Sequence, residues 1–244
     1  MTIDEDYQAW ERYPHHRWIF NKLDLALRLG YAAAPACVPF SLSMKQVIIR
    51  PIYNLYGMGV GAKSYHCNPE IDNESIITHG IIPPGYFWCE YFTGDHVSID
   101  YKRKLIWVPF NAILATQQDP KHLTKFGKWT RIEIPNIVIP EFLNIFLNDV
   151  ENLNIEFIGD KIIEIHLRTG NDILHDEPVG TQVIPLWQDI MASSVSDPRN
   201  VERRAQITKL EKEKWKFIPN HHAAPSKYTA DGHLSYIRLG YMKK

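Results

Sequence analysis

The sequence has 244 residues, of which 45% are hydrophobic and 23% are charged, as in an ordinary globular protein with a sizeable core. The 27 lysines and arginines nearly balance the 28 aspartates and glutamates, so we expect no nucleic-acid partner. No apolar run reaches the roughly 18 residues of a membrane span, and the acidic N-terminus is not typical of a signal peptide. The three cysteines form no Cys-x-x-Cys pair, which argues against a disulfide framework or a zinc site and predicts a cytoplasmic protein.

The predicted elements follow one another without a βαβ repeat, which indicates an α+β fold. Apolar residues at helical spacing predict helices over residues 15–30, 140–149 and 198–217. Apolar and aromatic runs predict strands over residues 46–53, 85–92, 97–101, 104–113 and 233–241. Residues 152–158 and 161–167 alternate apolar and polar on both sides of Gly159-Asp160, which predicts a hairpin. Residues 116–131 are polar and have no clean period, so we expect a loop there.

A glycine-rich stretch, GMGVGAKS, contains Gly57, Gly59 and Gly61. It departs from a Walker A loop, because Ala62 separates Gly61 from Lys63 and no helix is predicted to follow. It also lacks the helix that a dinucleotide-binding glycine motif opens. Two interpretations remain: a hairpin loop whose backbone N–H groups fold over phosphates, or a plain turn.

Arg50 is a charge in the middle of the apolar run VIIRPI. Such a residue either points out of the sheet or is paired, because an isolated charge is costly to bury. Since it lies one strand before the glycine-rich stretch, Arg50 could reach a polyphosphate. The alternative is a structural ion pair.

The predicted hairpin carries Glu156 on its first strand and Glu164, His166 and Arg168 on its second. The last three occupy alternate positions and therefore share one face. On a two-residue turn Glu156 lies opposite Ile163, and a one-residue bulge would bring it onto the face of Glu164. Two carboxylates and an imidazole could then hold Mg²⁺ or Mn²⁺. The alternative is a solvent-exposed polar strand face.

The order of these pieces resembles the ATP-grasp superfamily of nucleotide-dependent ligases. The likeness covers roughly residues 16–175 and is carried by four motifs in the family's order. They are Asn21-Lys22-Leu23 with the link LGYAAAPACVP, then VIIRPIYNLYGMGVG, then EYFTGDHVSID over residues 90–100, and finally Glu156 with EIHLRTGN over residues 164–171. The chain departs from the family pattern in having Arg50 in place of a lysine, His96 in place of a ribose-binding glutamate, and His166 in place of an asparagine. Arg in the first of these positions resembles compact ATP-grasp clades that are common in bacteriophage genomes.

The resemblance implies a role for each matching residue. Lys22 and Arg50 would contact the α- and β-phosphates of ATP, and the backbone of Gly57, Gly59 and Gly61 would close over the terminal phosphates. Glu90, Tyr91 and Phe92 would meet adenine, and His96 would meet the ribose. Glu156, Glu164 and His166 would hold Mg²⁺ or Mn²⁺. Arg168, together with Arg50, would be catalytic and would stabilise the charge on the transferred phosphoryl group or the acyl phosphate.

The resemblance also implies a two-lobed ATP-grasp-like fold that lacks the family's N-terminal Rossmann-like domain. We expect an N-terminal lobe over residues 1–85, a C-terminal lobe over residues 86–190, and a helical extension with a tail over residues 191–244. The implied activity is ATP-dependent ligation of a carboxylate to an amine through an acyl phosphate, with a small-molecule or peptide substrate. Two alternatives stay open, namely a small-molecule kinase on the same scaffold and a degenerate ATP-grasp domain that only binds.

Overall fold

The computed structural model describes residues 5–55, 59, 61–117, 123, 126–170, 173–189, 194–219 and 236–244. The α-helices in these residues are α1 (Asp6–Arg12), α2 (Lys22–Arg28), α3 (Pro69–His79), α4 (Glu141–Phe146) and α5 (Pro198–Lys212), and a 3-10 helix covers Pro14–Phe20. The strands are β1 (Ala33–Pro35), β2 (Gln46–Pro51), β3 (Lys63–His66), β4 (Tyr86–Glu90), β5 (His96–Arg103), β6 (Trp107–Gln117), β7 (Phe126–Arg131), β8 (Asn152–Ile158), β9 (Lys161–His166), β10 (Gln182–Asp189), β11 (Lys216–Pro219) and β12 (Tyr236–Lys243). No helix among the described residues is long and apolar enough to cross a membrane.

The chain divides into two compact units. The first contains Met1–Ala112 and Ile134–Asn171, and the second contains Ile113–Glu133 and Asp172–Lys244. Antiparallel strand pairs and few helices make up both units, which confirms the predicted α+β class. The division into nucleotide-binding lobes stays a prediction, because compactness alone does not define where a ligand is held.

The first sheet of unit 1 has the strand order β1-β4-β2-β3. Successive side chains of β2 point to opposite faces, so Val47 and Ile49 pack into a core with Trp88 and Ile76, a residue of α3. Arg50 lies opposite Phe87 of β4. β3 follows the glycine-rich stretch and pairs antiparallel with β2, which confirms a hairpin at this point and excludes a Walker A loop, since that loop opens a helix.

The second sheet of unit 1 contains the neighbours β5, β8 and β9 in that order. One face is apolar and closes the core through Val97, Ile99, Ile155, Phe157 and Ile165, all of which are buried. Since alternate residues face the other way, the opposite face of the same strands carries the polar side chains. The predicted hairpin is confirmed, with Ile158 opposite Lys161 at its turn.

Gly94 lies where the segment before β5 meets the β8–β9 turn. Its φ is +131°, and a Cβ on it would lie 2.9 Å from the backbone Cα and N of Gly159. The backbone N–H of Gly159 donates to the carbonyl of Asp95 at 2.9 Å. Only glycine fits this close backbone approach at a positive φ, and the contact fixes the turn of the hairpin against the start of β5.

Unit 2 contains β7, β10, β12 and β11 with helix α5. The prediction of a loop over residues 116–131 is wrong for residues 116 and 117, which end β6, and for Phe126–Arg131, which form β7. Residues 118–122, 124 and 125 lie outside the described residues. Trp129 explains the difference, because its ring packs 5.5 Å from that of Tyr241 beside a buried cluster of unit 2. This partner lies far along the chain, so no local pattern reveals it.

Candidate active site

Polar side chains of unit 1 form two rows across β5, β8 and β9. The strand register places Ser98 opposite Glu156 and Glu156 opposite Glu164. The second row consists of Asp100, Asn154 and His166. A register shift between Glu156 and Phe157 produces the first row, as expected if a bulge brought the two carboxylates onto one face.

Lys22 contributes a cation to the first row from outside the sheet. Its Nζ donates to Glu164 Oε1 at 2.6 Å, and the exposed fractions of the two side chains are 6% and 14%. Lys22 begins α2, where Asn21 caps the helix by accepting from the backbone N–H of Asp24. The backbone N–H of Lys22 donates to the carbonyl of Ile52 just after β2, so the ammonium is held by a fixed helix start.

Arg50 reaches β9 from the first sheet. Its Nη2 donates to the backbone carbonyl of Ile163 at 3.0 Å, and the guanidinium lies 5.3 Å from the ring centroid of Phe87. Its Nε is buried and has no hydrogen-bond partner among the described residues. Burial lowers the pKa of Arg50, and the charge of Glu164 partly opposes this effect. A structural ion pair does not account for the buried Nε of Arg50, since a cation with an unused buried donor still favours an anion.

His166 and Arg168 share one carboxylate partner, Asp6 of α1. Asp6 Oδ2 lies 2.8 Å from His166 Nδ1, and Asp6 Oδ1 accepts from Arg168 Nε at 2.9 Å. Burial by itself raises the pKa of Asp6, but His166 and Arg168 outweigh it and lower the pKa to about 2. Burial likewise lowers the pKa of His166, yet Asp6 and Glu156 raise it to about 10. The imidazole therefore carries a positive charge at neutral pH.

Glu156 lies between two imidazoles. Its Oε2 is 3.1 Å from His96 Nε2, and its Oε1 is 3.6 Å from His166 Nε2. Burial raises the pKa of Glu156, but the hydrogen bonds and positive charges of His166 and His96 hold it well below its usual range. His96, which is expected at the ribose, thus contacts Glu156, which is expected at the metal.

The remaining predicted residues make other contacts. Glu90 holds Ala32, because its Oε1 accepts from the backbone N–H of Ala32 and its own N–H donates to the Ala32 carbonyl, both at 2.9 Å. Phe92 packs edge-on against Tyr31 with ring centroids 4.7 Å apart, and Tyr91 is half-buried. Gly59 and Gly61 have φ values of +56° and +79°, while Gly57 lies outside the described residues. The adenine and terminal-phosphate roles of these residues stay predictions.

The carboxylates fit a divalent cation by chemistry, and Nε2 of His166 lies 3.6 Å from Glu156 and 3.9 Å from Glu164. Glu156 and Glu164 offer the hard oxygen atoms that Mg²⁺ and Mn²⁺ prefer. A metal-ligating imidazole must be neutral, and such a ligand commonly has a carboxylate on its other ring nitrogen, as Asp6 is on Nδ1 of His166. Among the described residues, no group of three or more His, Cys, Asp or Glu side chains is arranged to hold a metal ion. The metal roles therefore stay predictions, and the two glutamates are the stronger candidates.

Sequence reasoning missed Asp6 and gave no role to Asp100. Asp100 is buried and accepts from Asn111 Nδ2 at 2.7 Å, from Asn154 Nδ2 at 2.9 Å and from the backbone N–H of Gly170 at 2.7 Å. It thereby anchors the segment that follows Arg168. Asp100 lies at even spacing from His96 on β5, and this spacing could have indicated that both side chains share one face. The sequence around Asp6 contains no comparable pattern.

Comparison with known proteins gives matches at the level of structure. No protein-family model matches the sequence, and a search of curated proteins finds no significant match. Carboxyaminoimidazole ribonucleotide synthase from Aspergillus clavatus, complexed with ATP, is 12% identical with a TM-score of 0.54, and the match covers 98% of this chain and 74% of that chain. An N5-carboxyaminoimidazole ribonucleotide synthetase in an ADP complex is 12% identical with a TM-score of 0.53, covering 98% of this chain and 72% of that one. L-amino acid ligase from Bacillus licheniformis is 8% identical with a TM-score of 0.50, covering 93% and 67%.

These similar structures are ATP-grasp enzymes, so the chain has an ATP-grasp fold, as its motifs predicted. At these identities the likeness concerns the fold alone, and function has to be argued from the site. The clade with arginine at position 50 stays a prediction.

Proposed function

We propose that this chain is an ATP-dependent ligase that joins a carboxylate to an amine through an acyl phosphate. Arg50 is the observation that carries the proposal: a half-buried guanidinium, whose buried Nε has no hydrogen-bond partner among the described residues, lies on the strand before the glycine-rich hairpin. Lys22 adds a second cation beside β9, and this one is buried. Two cations, one buried and one half-buried, at this place in an ATP-grasp fold suit a polyphosphate, whose oxygens accept charge-assisted hydrogen bonds.

In the first step, an oxygen of the substrate carboxylate attacks the γ-phosphorus of ATP. The bond from that phosphorus to the β–γ bridging oxygen breaks, and ADP leaves. Lys22 and Arg50 bind the α- and β-phosphates, so they align the chain and take up charge that develops on the leaving ADP. Arg168 faces the phosphoryl group in transit and stabilises its oxygens, since such reactions depend on positioning and electrostatics.

In the second step, the amine nitrogen attacks the acyl carbon, the bond to phosphate breaks, and the nitrogen loses a proton. Arg168 stays beside the phosphate as it leaves. Glu156 and Glu164 would hold a divalent cation. When bound, this cation would neutralise part of the negative charge on the phosphate oxygens. Glu156, Glu164 and Lys22 bind and orient the ligands, and none of these side chains has to form a covalent bond with them.

The first test is binding of ATP by thermal shift and calorimetry, with Mg²⁺ and with Mn²⁺. A ligand that binds the folded state raises its melting temperature by mass action. Arg50→Gln should weaken ATP binding by about tenfold or more, the equivalent of one lost charge-assisted bond. The matched control is Arg28→Gln, an exposed arginine paired with Asp24, which should bind ATP like the wild type. Equal affinity in Arg50→Gln would remove Arg50 from the site.

The second test identifies the reaction. The wild type is incubated with ATP, Mg²⁺ and a panel of amino acids and dicarboxylic acids, with hydroxylamine as a general amine. A ligase forms ADP, phosphate and a hydroxamate in equal amounts. ADP with a stable phosphorylated product would instead indicate a kinase, and the proposal would fail.

A binding module without turnover is the second candidate, and His166 is the observation that favours it. It stands where the family pattern has an asparagine, and His96 stands where that pattern has the ribose-binding glutamate. ATP binding without any ADP formation across the panel would support this candidate against the ligase.

A further inference from the structure

Asp6 is the acidic residue of unit 1 that touches the proposed site from the N-terminal helix. Its side chain is 2% exposed and both of its oxygens are engaged, one by His166 and the other by Arg168. It lies 162 positions before Arg168 in the chain, so the contact depends on the tertiary fold.

Local structure fixes where Asp6 stands. It is the first residue of α1, and a capping box formed by Glu5 and Gln8 encloses it. Ala9, one turn later, is fully buried, and the backbone N–H of Tyr13 donates to its carbonyl at 2.9 Å. These contacts hold α1 at both ends and therefore fix the position of the Asp6 carboxylate.

Asp6 limits how Arg168 can turn. Arg168 Nε donates to Asp6 Oδ1 at 2.9 Å, and Arg168 Nη1 donates to the backbone carbonyl of Thr169 at 3.0 Å. These bonds hold two nitrogens of the guanidinium, and no described residue engages Nη2, which is left to meet an anion. The same carboxylate fixes Nδ1 of His166, so Nε2 of that ring faces Glu156 at 3.6 Å and Glu164 at 3.9 Å.

We infer that Asp6 is a positioning residue for phosphoryl transfer: it holds the guanidinium of Arg168 in the orientation that meets the transferred group. The inference rests on the proposed function. Asp6 touches neither ATP nor substrate and acts through Arg168. Because Arg168 acts on charge that develops during transfer, the loss of Asp6 lowers kcat and leaves the affinity for ATP nearly unchanged.

The test compares Asp6→Asn with Asp149→Asn. Asparagine keeps the shape of the side chain and removes its charge. Asp149 is a matched control, because its Oδ1 pairs with His16 Nε2 at 2.6 Å in the same unit but contacts none of the proposed site residues. Asp6→Asn should lower kcat by about tenfold or more with the dissociation constant for ATP within about twofold, while Asp149→Asn matches the wild type in both.

A double variant shows whether Asp6 acts through Arg168. If it does, adding Asp6→Asn to Arg168→Gln lowers kcat no further, because the group that Asp6 orients is already gone. A further drop of about tenfold would overturn the inference. The Nε–H NMR signal of Arg168 gives a readout without turnover: it should be protected from exchange in the wild type and lose that protection in Asp6→Asn.

Two failures are distinguishable. If the wild type binds ATP and turns over but Asp6→Asn has the same kcat, the inference is wrong and the proposed function stands. If the wild type neither binds nor hydrolyses ATP, the proposed function fails and the inference fails with it. Should Asp6→Asn not fold, Asp6→Glu replaces it under the same criteria, since it keeps the charge and displaces the carboxylate by one methylene.

Discussion

Lys22 and Glu164 form a buried ion pair between a helix start and the middle of a strand, with Nζ 2.6 Å from Oε1. The two residues lie in separate motifs that resemble those of the ATP-grasp superfamily, one expected at a phosphate and the other at a metal. In this state each neutralises the other, so a buried carboxylate and a buried ammonium are both compensated without a ligand. A ligand that separates them has to supply a counter-charge to each.

The first prediction is a strong energetic coupling within this pair. Lys22→Met and Glu164→Gln should each lower the free energy of unfolding by about 3 kcal/mol, because each removes the nearest partner of a largely buried charge. The double variant should lose less than the sum of the two. Urea denaturation of the four proteins gives the coupling energy, which should be about 1 to 3 kcal/mol.

Arg28 and Asp24 provide the control cycle. They form an i,i+4 pair at 2.8 Å on α2, with side chains that are 43% and 35% exposed. Water screens this pair, so its coupling energy should stay near about 0.3 to 0.5 kcal/mol. Equal coupling in the two pairs would show that Lys22 and Glu164 are solvated in the folded protein.

The second prediction concerns stability against pH. The pKa of Asp6 is lowered from 3.8 to about 2, so its contribution is present above its unfolded pKa and is lost as the pH falls towards about 2. The pKa of His166 is raised from 6.5 to about 10, so its contribution is complete below its unfolded pKa and is lost as the pH rises towards about 10. The pair thus stabilises the fold most between about pH 4 and 6.5.

Urea midpoints measured from pH 5 to pH 10 check this expectation. The wild type should lose stability over the alkaline half of the range. Asp6→Asn should lose less, because its His166 has lost the carboxylate at Nδ1 and keeps the more distant Glu156, 3.6 Å from Nε2. Asp149→Asn should follow the wild type in the loss above pH 7, since the pair that it breaks does not involve His166. Parallel curves for the wild type and Asp6→Asn would contradict the assigned ion pair.

The sequence indicated the hairpin and its chemistry because the information there is local. Alternation on both sides of Gly159-Asp160 defined the strands, and the spacing of Glu164, His166 and Arg168 defined their common face. The sequence showed that a bulge would be needed to align Glu156 with Glu164, but no residue pattern indicated that the bulge is present. The motif order was sufficient to indicate the ATP-grasp fold.

Contacts between segments that are distant along the chain could not be predicted from the sequence. Asp6 lies 160 positions from His166, and nothing near it distinguishes it from an ordinary acidic helix start. Strand β7 was missed for the same reason, since Trp129 packs against Tyr241 rather than against a neighbour in the chain. In both cases tertiary packing decides the role of a locally ambiguous residue.

The third prediction follows from the close approach of Gly94 to Gly159. In Gly94→Ala a methyl group would lie 2.9 Å from two backbone atoms at a φ of +131°, so either the β8–β9 turn or the segment before β5 has to shift. We expect a loss of about 3 kcal/mol or more in unfolding free energy. Gly85→Ala is the control, because it has a φ of +82° with open space around the added methyl group and should lose only about 1 to 2 kcal/mol. Similar losses in both variants would mean that the backbone around Gly94 shifts at little cost in free energy to accommodate the methyl group.

The fourth prediction concerns how a metal ion reaches the carboxylates. The ammonium of Lys22 occupies one oxygen of Glu164, and the imidazolium of His166 lies 3.9 Å from the same oxygen. A divalent cation on Glu156 and Glu164 therefore meets two positive charges, and Mn²⁺ alone should bind weakly. Triphosphate changes this balance, because its oxygens offer Lys22 another partner and bring negative charge to the metal. We thus expect Mn²⁺ to bind more tightly in the presence of a non-hydrolysable ATP analogue than in its absence.

Lys22→Gln isolates the contribution of the ammonium. Removing one positive charge next to the carboxylates should tighten the binding of Mn²⁺ alone by about tenfold, as expected for a nearby charge at an intermediate dielectric constant. The same variant should bind the ATP analogue more weakly, because a phosphate contact is lost. Lys161→Gln is the control: Lys161 lies on the same strand, 46% exposed and paired with Asp160, and its loss should change neither affinity. Electron paramagnetic resonance of free Mn²⁺ measures the first quantity and calorimetry the second. If Lys22→Gln leaves Mn²⁺ binding unchanged while weakening the nucleotide, Glu164 is not a metal ligand, and its role is to hold Lys22 for the phosphates.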